Sequence, residues 1–113
     1  MDIPQQYVER IRELFYIQSD YYPEAWFSKG TGKAGYSPAC AHRFDTQCKA
    51  NNYHCDDCDH RELLPLTDEA IQAHLQGKKT LGSYQVYNDQ VLWLCIDFDI
   101  EDESARRNAY QFA

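Results

Sequence analysis

Four of the five cysteines fall within 19 positions, as Cys40, Cys48, Cys55 and Cys58, in the pattern C-x7-C-x6-C-x2-C. No other feature limits the fold as strongly. Residues 37 to 62 around them carry little regular apolar pattern, as expected where a metal ion replaces a core. The Cys55-Asp56-Asp57-Cys58 pair is the strongest element. Two cysteines separated by two residues can grip one ion in a tight knuckle. Cys40 and Cys48 complete four thiolates, and the set reads as a structural Zn²⁺ site. Other uses of the same donors stay open. His42, His54 or His60 could replace one cysteine, since Cys₃His sites are common. A redox pair would need a strand-then-helix setting that the sequence lacks. An iron–sulfur cluster takes four thiolates, usually at other spacings. A closed zinc site does no chemistry. It would fold residues 37 to 62 and hold Arg43, Lys49 and Arg61 in place.

At 113 residues the chain suits one small domain with a modest core. Hydrophobic residues at 43% and charged residues at 26% give an ordinary globular balance. No apolar run is long enough for a transmembrane helix. Met1-Asp2-Ile3-Pro4 lacks the basic and apolar regions of a signal peptide. A cytoplasmic location follows as the default, and there clustered cysteines bind metal more often than they form disulfides. The net charge of −7 argues against a uniformly basic nucleic-acid binder. It leaves room for a local basic patch, and it counts no bound metal.

Along the chain, residues 5 to 17 read as an amphipathic helix, with Tyr7, Ile11, Leu14 and Phe15 on one face. Pro4 stands near its start, where proline is tolerated. Residues 26 to 36 hold Gly30, Gly32 and Gly35 with Lys29 and Lys33, and read as a loop or loose hairpin. Gly30-x-Gly32-Lys33 is not a phosphate-binding P-loop, because the spacing fails. Thr67 caps a second helix with Asp68 and Glu69 in its first turn, and Gly77 ends it. Residues 80 to 87 form a strand, Asn88-Asp89 a turn, and residues 90 to 98 the next strand of a hairpin. Residues 102 to 113 read as a helix that has barely begun, with no closing signal. The chain therefore looks cut from something longer, or ends in a tail awaiting a partner.

The second strand runs Val91-Leu92-Trp93-Leu94-Cys95-Ile96-Asp97-Phe98-Asp99. Side chains alternate along a strand, so Asp97 and Asp99 share a face. Two adjacent carboxylates repel unless a cation neutralises them. Mg²⁺ or Mn²⁺ suits such oxygen ligands, and phosphoryl or nucleotidyl transfer uses such sites. The plainer reading is an acidic strand end that continues through Glu101, Asp102 and Glu103 into a helix, where the dipole favours acids. Cys95, in the apolar run, reads as a buried small hydrophobe.

The order of these pieces carries a resemblance. Gly35-Tyr36-Ser37-Pro38-Ala39-Cys40 precedes the cysteine knuckle, and Leu64-Pro65-Leu66-Thr67-Asp68 follows it. Then come His74-Leu75-x-Gly77, Thr80-Leu81-Gly82-x-Tyr84 and Leu94-Cys95-Ile96-Asp97-Phe98-Asp99. From about Tyr21 to Asp99 this resembles the N-terminal part of the archaeo-eukaryotic primase superfamily. More narrowly, it is similar to the primase-polymerases of TOTE conflict systems and their CRISPR-associated relatives. The resemblance implies an α+β fold, the N-terminal portion of a primase-polymerase, with an antiparallel hairpin, helices and a zinc-binding insertion at residues 37–62. It implies that Asp97 and Asp99 are the metal-binding aspartates of the first catalytic motif. It places Zn²⁺ on Cys40, Cys48, Cys55 and Cys58. It further implies nucleoside triphosphates and a single-stranded or primed DNA template as partners. The family's second motif supplies a histidine and its third another carboxylate, both beyond Asp99. His42, His54, His60 and His74 all precede the aspartates and cannot be that histidine. The chain would thus carry half an active site and need the rest of a longer polypeptide or a complementing chain. Lys78 and Lys79 are candidates for phosphate or template contact beside the plain reading of two solvated lysines, and Lys29 and Lys33 are weaker ones. Tyr84 and Trp93 could stack on a base, although hairpin aromatics more often fill a core.

Two other functions compete. One is a non-catalytic zinc module that binds nucleic acid or a partner protein, with Asp97 and Asp99 as surface charges. The other is a different metal-dependent transferase with an Asp-x-Asp pair, such as a nucleotide-sugar enzyme, which does not call for the cysteine knuckle.

Overall fold

The computed structural model describes residues 2–98 and 103–112. Its elements are α1 (Gln5–Phe15), β1 (Pro23–Phe27), β2 (Ala34–Pro38), α2 (Thr46–Ala50), α3 (Asp68–Leu75), β3 (Val86–Tyr87), β4 (Gln90–Val91) and α4 (Glu103–Phe112). The class is α+β, with β1–β2 and β3–β4 as separate antiparallel hairpins.

Helix α1 starts after Pro4, whose fixed φ of −57° suits the entry to a helix. Its inward face differs from the expected one. Val8 is fully buried and Ile11 packs on the core, whereas Tyr7, Leu14 and Phe15 are exposed. Arg12 sets this rotation. Its guanidinium donates to Ser19 Oγ at 2.8 Å, the Leu66 carbonyl at 3.1 Å and Asp68 Oδ1 at 2.7 Å. Those bonds turn positions 8, 11 and 12 towards α3, at the i, i+3, i+4 spacing of one helix face.

Helix α3 follows its sequence signals closely. The Thr67 side chain accepts from the Ala70 N–H, and Asp68 and Glu69 occupy the first turn. Gly77 takes φ +77° just past the end, a conformation that glycine adopts without a side-chain clash. Ile71 points into a small core with Val8, Tyr22, Ala39, Leu66 and Leu81.

Strands β1 and β2 pair from Pro23↔Pro38 to Phe27↔Ala34. Trp26 lies opposite Gly35, and a Cβ there would stand 3.0 Å from the indole ring. Leu81 bridges to Glu24 across β1, flanked by Ala25 N–H to the Thr80 carbonyl and Gly82 N–H to the Pro23 carbonyl, both 2.9 Å.

The second hairpin is shorter than its sequence suggests. The expected strand over 80 to 87 reduces to the Leu81 bridge and β3, and the one over 90 to 98 reduces to β4. The turn is as read, with Asn88 at φ 50° and Asp89 at φ 60°. Both values fit the tight turn whose twist matches paired strands. A strand needs a neighbour for its backbone groups, and among the described residues β4 has one over two residues. Beyond it, residues 92–98 are irregular and largely exposed, with Leu94 at 80%. Cys95 is consequently exposed rather than buried, because no sheet covers it among the described residues. Trp93 is the exception and turns in against Phe15, edge to face, with 6.0 Å between ring centroids.

Two stability outcomes follow from this packing. Ile71→Ala should lower the unfolding free energy by about 2–5 kcal/mol, measured by denaturant titration, and an unchanged midpoint would contradict the core assignment. Hydrogen bonds from Arg12, then Gln5, hold the Asp68 carboxyl below the ordinary value of 3.8. A carboxyl lowered by folding stabilises the fold above its unfolded pKa, and this contribution fades as pH falls through the folded one. The melting temperature of the wild type should therefore drop more steeply below pH 3.8 than that of Asp68→Asn. Parallel acid limbs would show that the pair is not coupled to folding.

Candidate functional site

The cysteines occupy a lobe with a closed neck. Ala41 N–H donates to the Glu62 carbonyl and Leu64 N–H to the Ala39 carbonyl, both at 2.9 Å, and Cys40 bridges to Leu63. Ala39, at the base of this neck, is fully buried in the core. Above the neck the character changes. No residue from 40 to 62 is buried. Phe44, Asn52 and Tyr53 hold φ of 66°, 53° and 61°, a left-handed backbone that costs free energy in a side-chain-bearing residue. Apolar burial does not shape this lobe.

Helix α2 inside the lobe has no apolar periodicity to mark it. Asp45 makes it possible, since its Oδ1 accepts the Cys48 N–H at 2.9 Å and caps the turn. Cys40, Cys48, Cys55 and Cys58 all line one cavity of about 400 Å³, together with His42, His54 and His60. The Cys40 sulfur accepts two backbone N–H groups, from His42 at 3.4 Å and Glu62 at 3.3 Å. These bonds fix the position of the sulfur at the neck of the lobe. Burial pushes the Cys55 thiol up, and Cys48, Cys40, Cys58 and Asp56 add to the rise. Four thiolates lining one cavity would repel one another, and a cation among them would relieve that repulsion. The donor chemistry therefore fits a zinc ion. The sulfurs do not themselves form a set at ligand spacing. Among the described residues, the group of three donors within 4.8 Å of one another is His42, Asp45 and His60.

That second group sits beside the sulfurs. His60 Nε2 lies 3.0 Å and His42 Nδ1 3.6 Å from Asp45 Oδ2. His42 Nε2 lies 2.9 Å from Glu62 Oε2, and the two imidazole centroids are 4.1 Å apart. The Asp45 carboxyl is held below its ordinary range, first by the Cys48 N–H and then by the His60 hydrogen bond, with burial opposing.

The aspartate segment presents a plainer picture. Asp97 is exposed on the irregular stretch after β4, and Asp99 lies outside the described residues. An exposed carboxylate is the right donor type for a hard divalent ion. No three-donor group among the described residues includes Asp97. Lys79 Nζ pairs with Glu24 Oε1 at 3.0 Å, so its charge is partly committed, while Lys78 is exposed. Glu24 also meets Arg43 at 3.4 Å, tying the lobe to β1 and to the end of α3. His74 is structural, because its Nδ1 accepts the Leu81 N–H at 3.2 Å. Tyr84 stacks at a tilt on Tyr21, with centroids 5.4 Å apart.

Residues 6–113 match the profile of one family, the TOTE conflict system archaeo-eukaryotic primase domain. The chain belongs to that family. No curated protein and no solved structure matches it. Membership in the primase superfamily points to nucleotidyl transfer in a conflict system, to nucleic acid and nucleotides as ligands, and to dependence on divalent metal. Among the described residues of this primase domain, no helix is long and apolar enough to cross a membrane.

Two functional features escaped the sequence reading. Glu24 as a double ion-pair partner left no local signal. Of His42, Asp45 and His60, the sequence reading considers only the histidines, each as a replacement for one cysteine, although Asp45 before Thr46-Gln47-Cys48 is a recognisable N-cap.

The lobe yields a direct prediction. Protein dialysed against a mild chelator should retain about one zinc per chain, as a four-thiolate site implies. Cys58→Ser should lose that zinc and melt at a clearly lower temperature, because metal binding and local folding are coupled. Cys95→Ala should keep both. Elemental analysis finding under a tenth of an equivalent, with thiols still reduced, would sink the zinc assignment.

Proposed function

We propose that this chain is part of a DNA primase-polymerase that joins nucleotides on a DNA template. The observation that carries this reading is the family match, which spans residues 6–113 and so runs through both aspartates. Asp97 and Asp99 would hold Mg²⁺ or Mn²⁺. Such an ion would neutralise triphosphate charge and favour attack of a primer hydroxyl on the α-phosphorus, with the bond to the β-phosphate breaking and pyrophosphate leaving. Asp97 stands where solvent and substrate can reach it. Lys78, exposed just after α3, would meet phosphate or template; Lys79 could do so only by leaving Glu24. Cys40, Cys48, Cys55 and Cys58 would close on a structural zinc. In a tetrahedral site the sulfurs would stand about 3.8 Å apart, given Zn–S bonds of about 2.3 Å. That ion would fix a lobe presenting Arg43, Lys49 and Arg61. The histidine and further carboxylate that the family resemblance calls for would come from beyond Ala113 or from a complementing chain.

A second reading is a non-catalytic zinc module that binds nucleic acid or a partner protein. Its support is that no three-donor group among the described residues includes Asp97.

An intact version of the protein separates the two. Asp97→Ala combined with Asp99→Ala should reduce template-dependent synthesis by at least about 100-fold, as expected when charge stabilisation of a transition state is deleted. Zinc content and melting temperature should not change. Residues 1–113 alone should bind Mn²⁺ weakly and synthesise nothing. Synthesis surviving the double substitution would refute the catalytic role, and extension by the 113-residue chain alone would refute the half-site.

A further inference from the structure

His42, Asp45 and His60 are not needed for a four-thiolate zinc, yet they converge more tightly than the sulfurs do. We propose that these three residues form a second metal site in the lobe, one that takes a borderline divalent ion such as Zn²⁺. Glu62 is its positioning residue.

Distances support it first. Ligand bonds of 2.0–2.1 Å in a tetrahedral site put donor atoms about 3.3 Å apart. The separations from Asp45 Oδ2 are 3.0 Å to His60 Nε2 and 3.6 Å to His42 Nδ1, on either side of that value.

The surroundings of His42 support it next. Its Nδ1 faces Asp45 Oδ2 at 3.6 Å, and its Nε2 lies 2.9 Å from Glu62 Oε2. A His42 that ligates through Nδ1 would carry its one N–H on Nε2 and donate it to Glu62. A carboxylate on the outer nitrogen of a ligating histidine is the usual means of fixing its tautomer and ring. Asp45 divides its labour in the same sense. Oδ1 caps α2, while Oδ2 faces both histidines.

The donor set also selects the ion. Two imidazoles and one carboxylate suit zinc, cobalt, nickel or copper, whereas magnesium and calcium prefer all-oxygen sites. Three protein ligands leave one position for water or a ligand. The three side chains are 36–38% exposed, so this ion would exchange readily. Because Asp45 caps the helix that carries Cys48, occupancy here would also steady one edge of the sulfur site.

Cobalt titration of the metal-free, reduced full chain tests this without any activity assay. About two equivalents should bind, as two separate donor sets require. One should bring the intense thiolate-to-cobalt absorption, and the other should add only weaker visible bands. His42→Asn with His60→Asn should abolish the second and leave the thiolate band at full height. Glu62→Gln, a change on a side chain 67% exposed, should leave the fold intact and weaken the second equivalent by about 10-fold. Asp45→Asn keeps a helix-capping oxygen and should weaken it at least as much. The proposal is overturned if only one equivalent binds, or if the second brings thiolate absorption. It is equally overturned if the histidine substitutions diminish the thiolate band, since the imidazoles would then belong to the sulfur site. Should the double variant misfold by circular dichroism, the Glu62→Gln titration decides: unchanged affinity rejects the site.

Discussion

A lobe without a buried residue has to be held by something other than apolar contact. From Cys40 to Glu62 nothing is withdrawn from water in the way that Val8 and Ile71 are. Hydrogen bonds at its neck close the loop but do not fix its interior. The strained backbone at Phe44, Asn52 and Tyr53 adds cost. Metal–ligand bonds supply the missing term in small domains of this kind, and the lobe concentrates the donors for them. Its four thiols line one cavity, and its histidine–aspartate trio lies alongside.

The lobe is tied to the rest of the fold by charge and backbone together. Glu24, 16% exposed on its side chain, meets Arg43 of the lobe and Lys79 beyond α3. Ala39 runs from the core straight into Cys40, so the first sulfur is anchored on a buried residue. Arg12 does the same work on the other side of the core, stitching α1 to the Ser19 side chain, the Leu66 carbonyl and α3. The resulting body is small, and the aspartate segment leaves it as an exposed stretch anchored by Trp93 against Phe15. The indole N–H of Trp93 is buried without an acceptor among the described residues. A segment as exposed as residues 94–98 can be re-ordered by a substrate, a metal or a neighbouring strand at little cost.

Local signals were legible and non-local ones were not. Thr67, Asp68, Glu69 and Gly77 announced α3 because capping and dipole effects act within a few residues. Asn88-Asp89 announced its turn for the same reason. The face of α1 was misjudged because the rotation depends on Arg12 finding Asp68, far along the chain. The strand over residues 90 to 98 was overextended because apolar content measures the wish to be buried, and burial needs a neighbour. Cys95 erred with it. The cysteine cluster was legible by spacing, and the family by the order of its motifs. The His42–Asp45–His60 set was hidden because His42 and His60 approach only once the neck has closed. Asp97 is exposed on irregular backbone, and Asp99 lies outside the described residues.

The central proposal is that a hard divalent ion binds at the aspartate segment, separately from any softer ion in the lobe. Iron-mediated backbone cleavage addresses it most directly. Fe²⁺ placed in Mg²⁺-type sites reduces added hydrogen peroxide to hydroxide and hydroxyl radical, itself becoming Fe³⁺; the radical cuts the chain near the bound ion, and mass spectrometry locates the cuts. In the intact protein with nucleoside triphosphate, the account predicts cleavage next to Asp97, suppressed by excess Mg²⁺ and lost in Asp97→Ala with Asp99→Ala. Cuts confined to residues 40–62, or cuts near Asp97 that persist in the double variant, would contradict it.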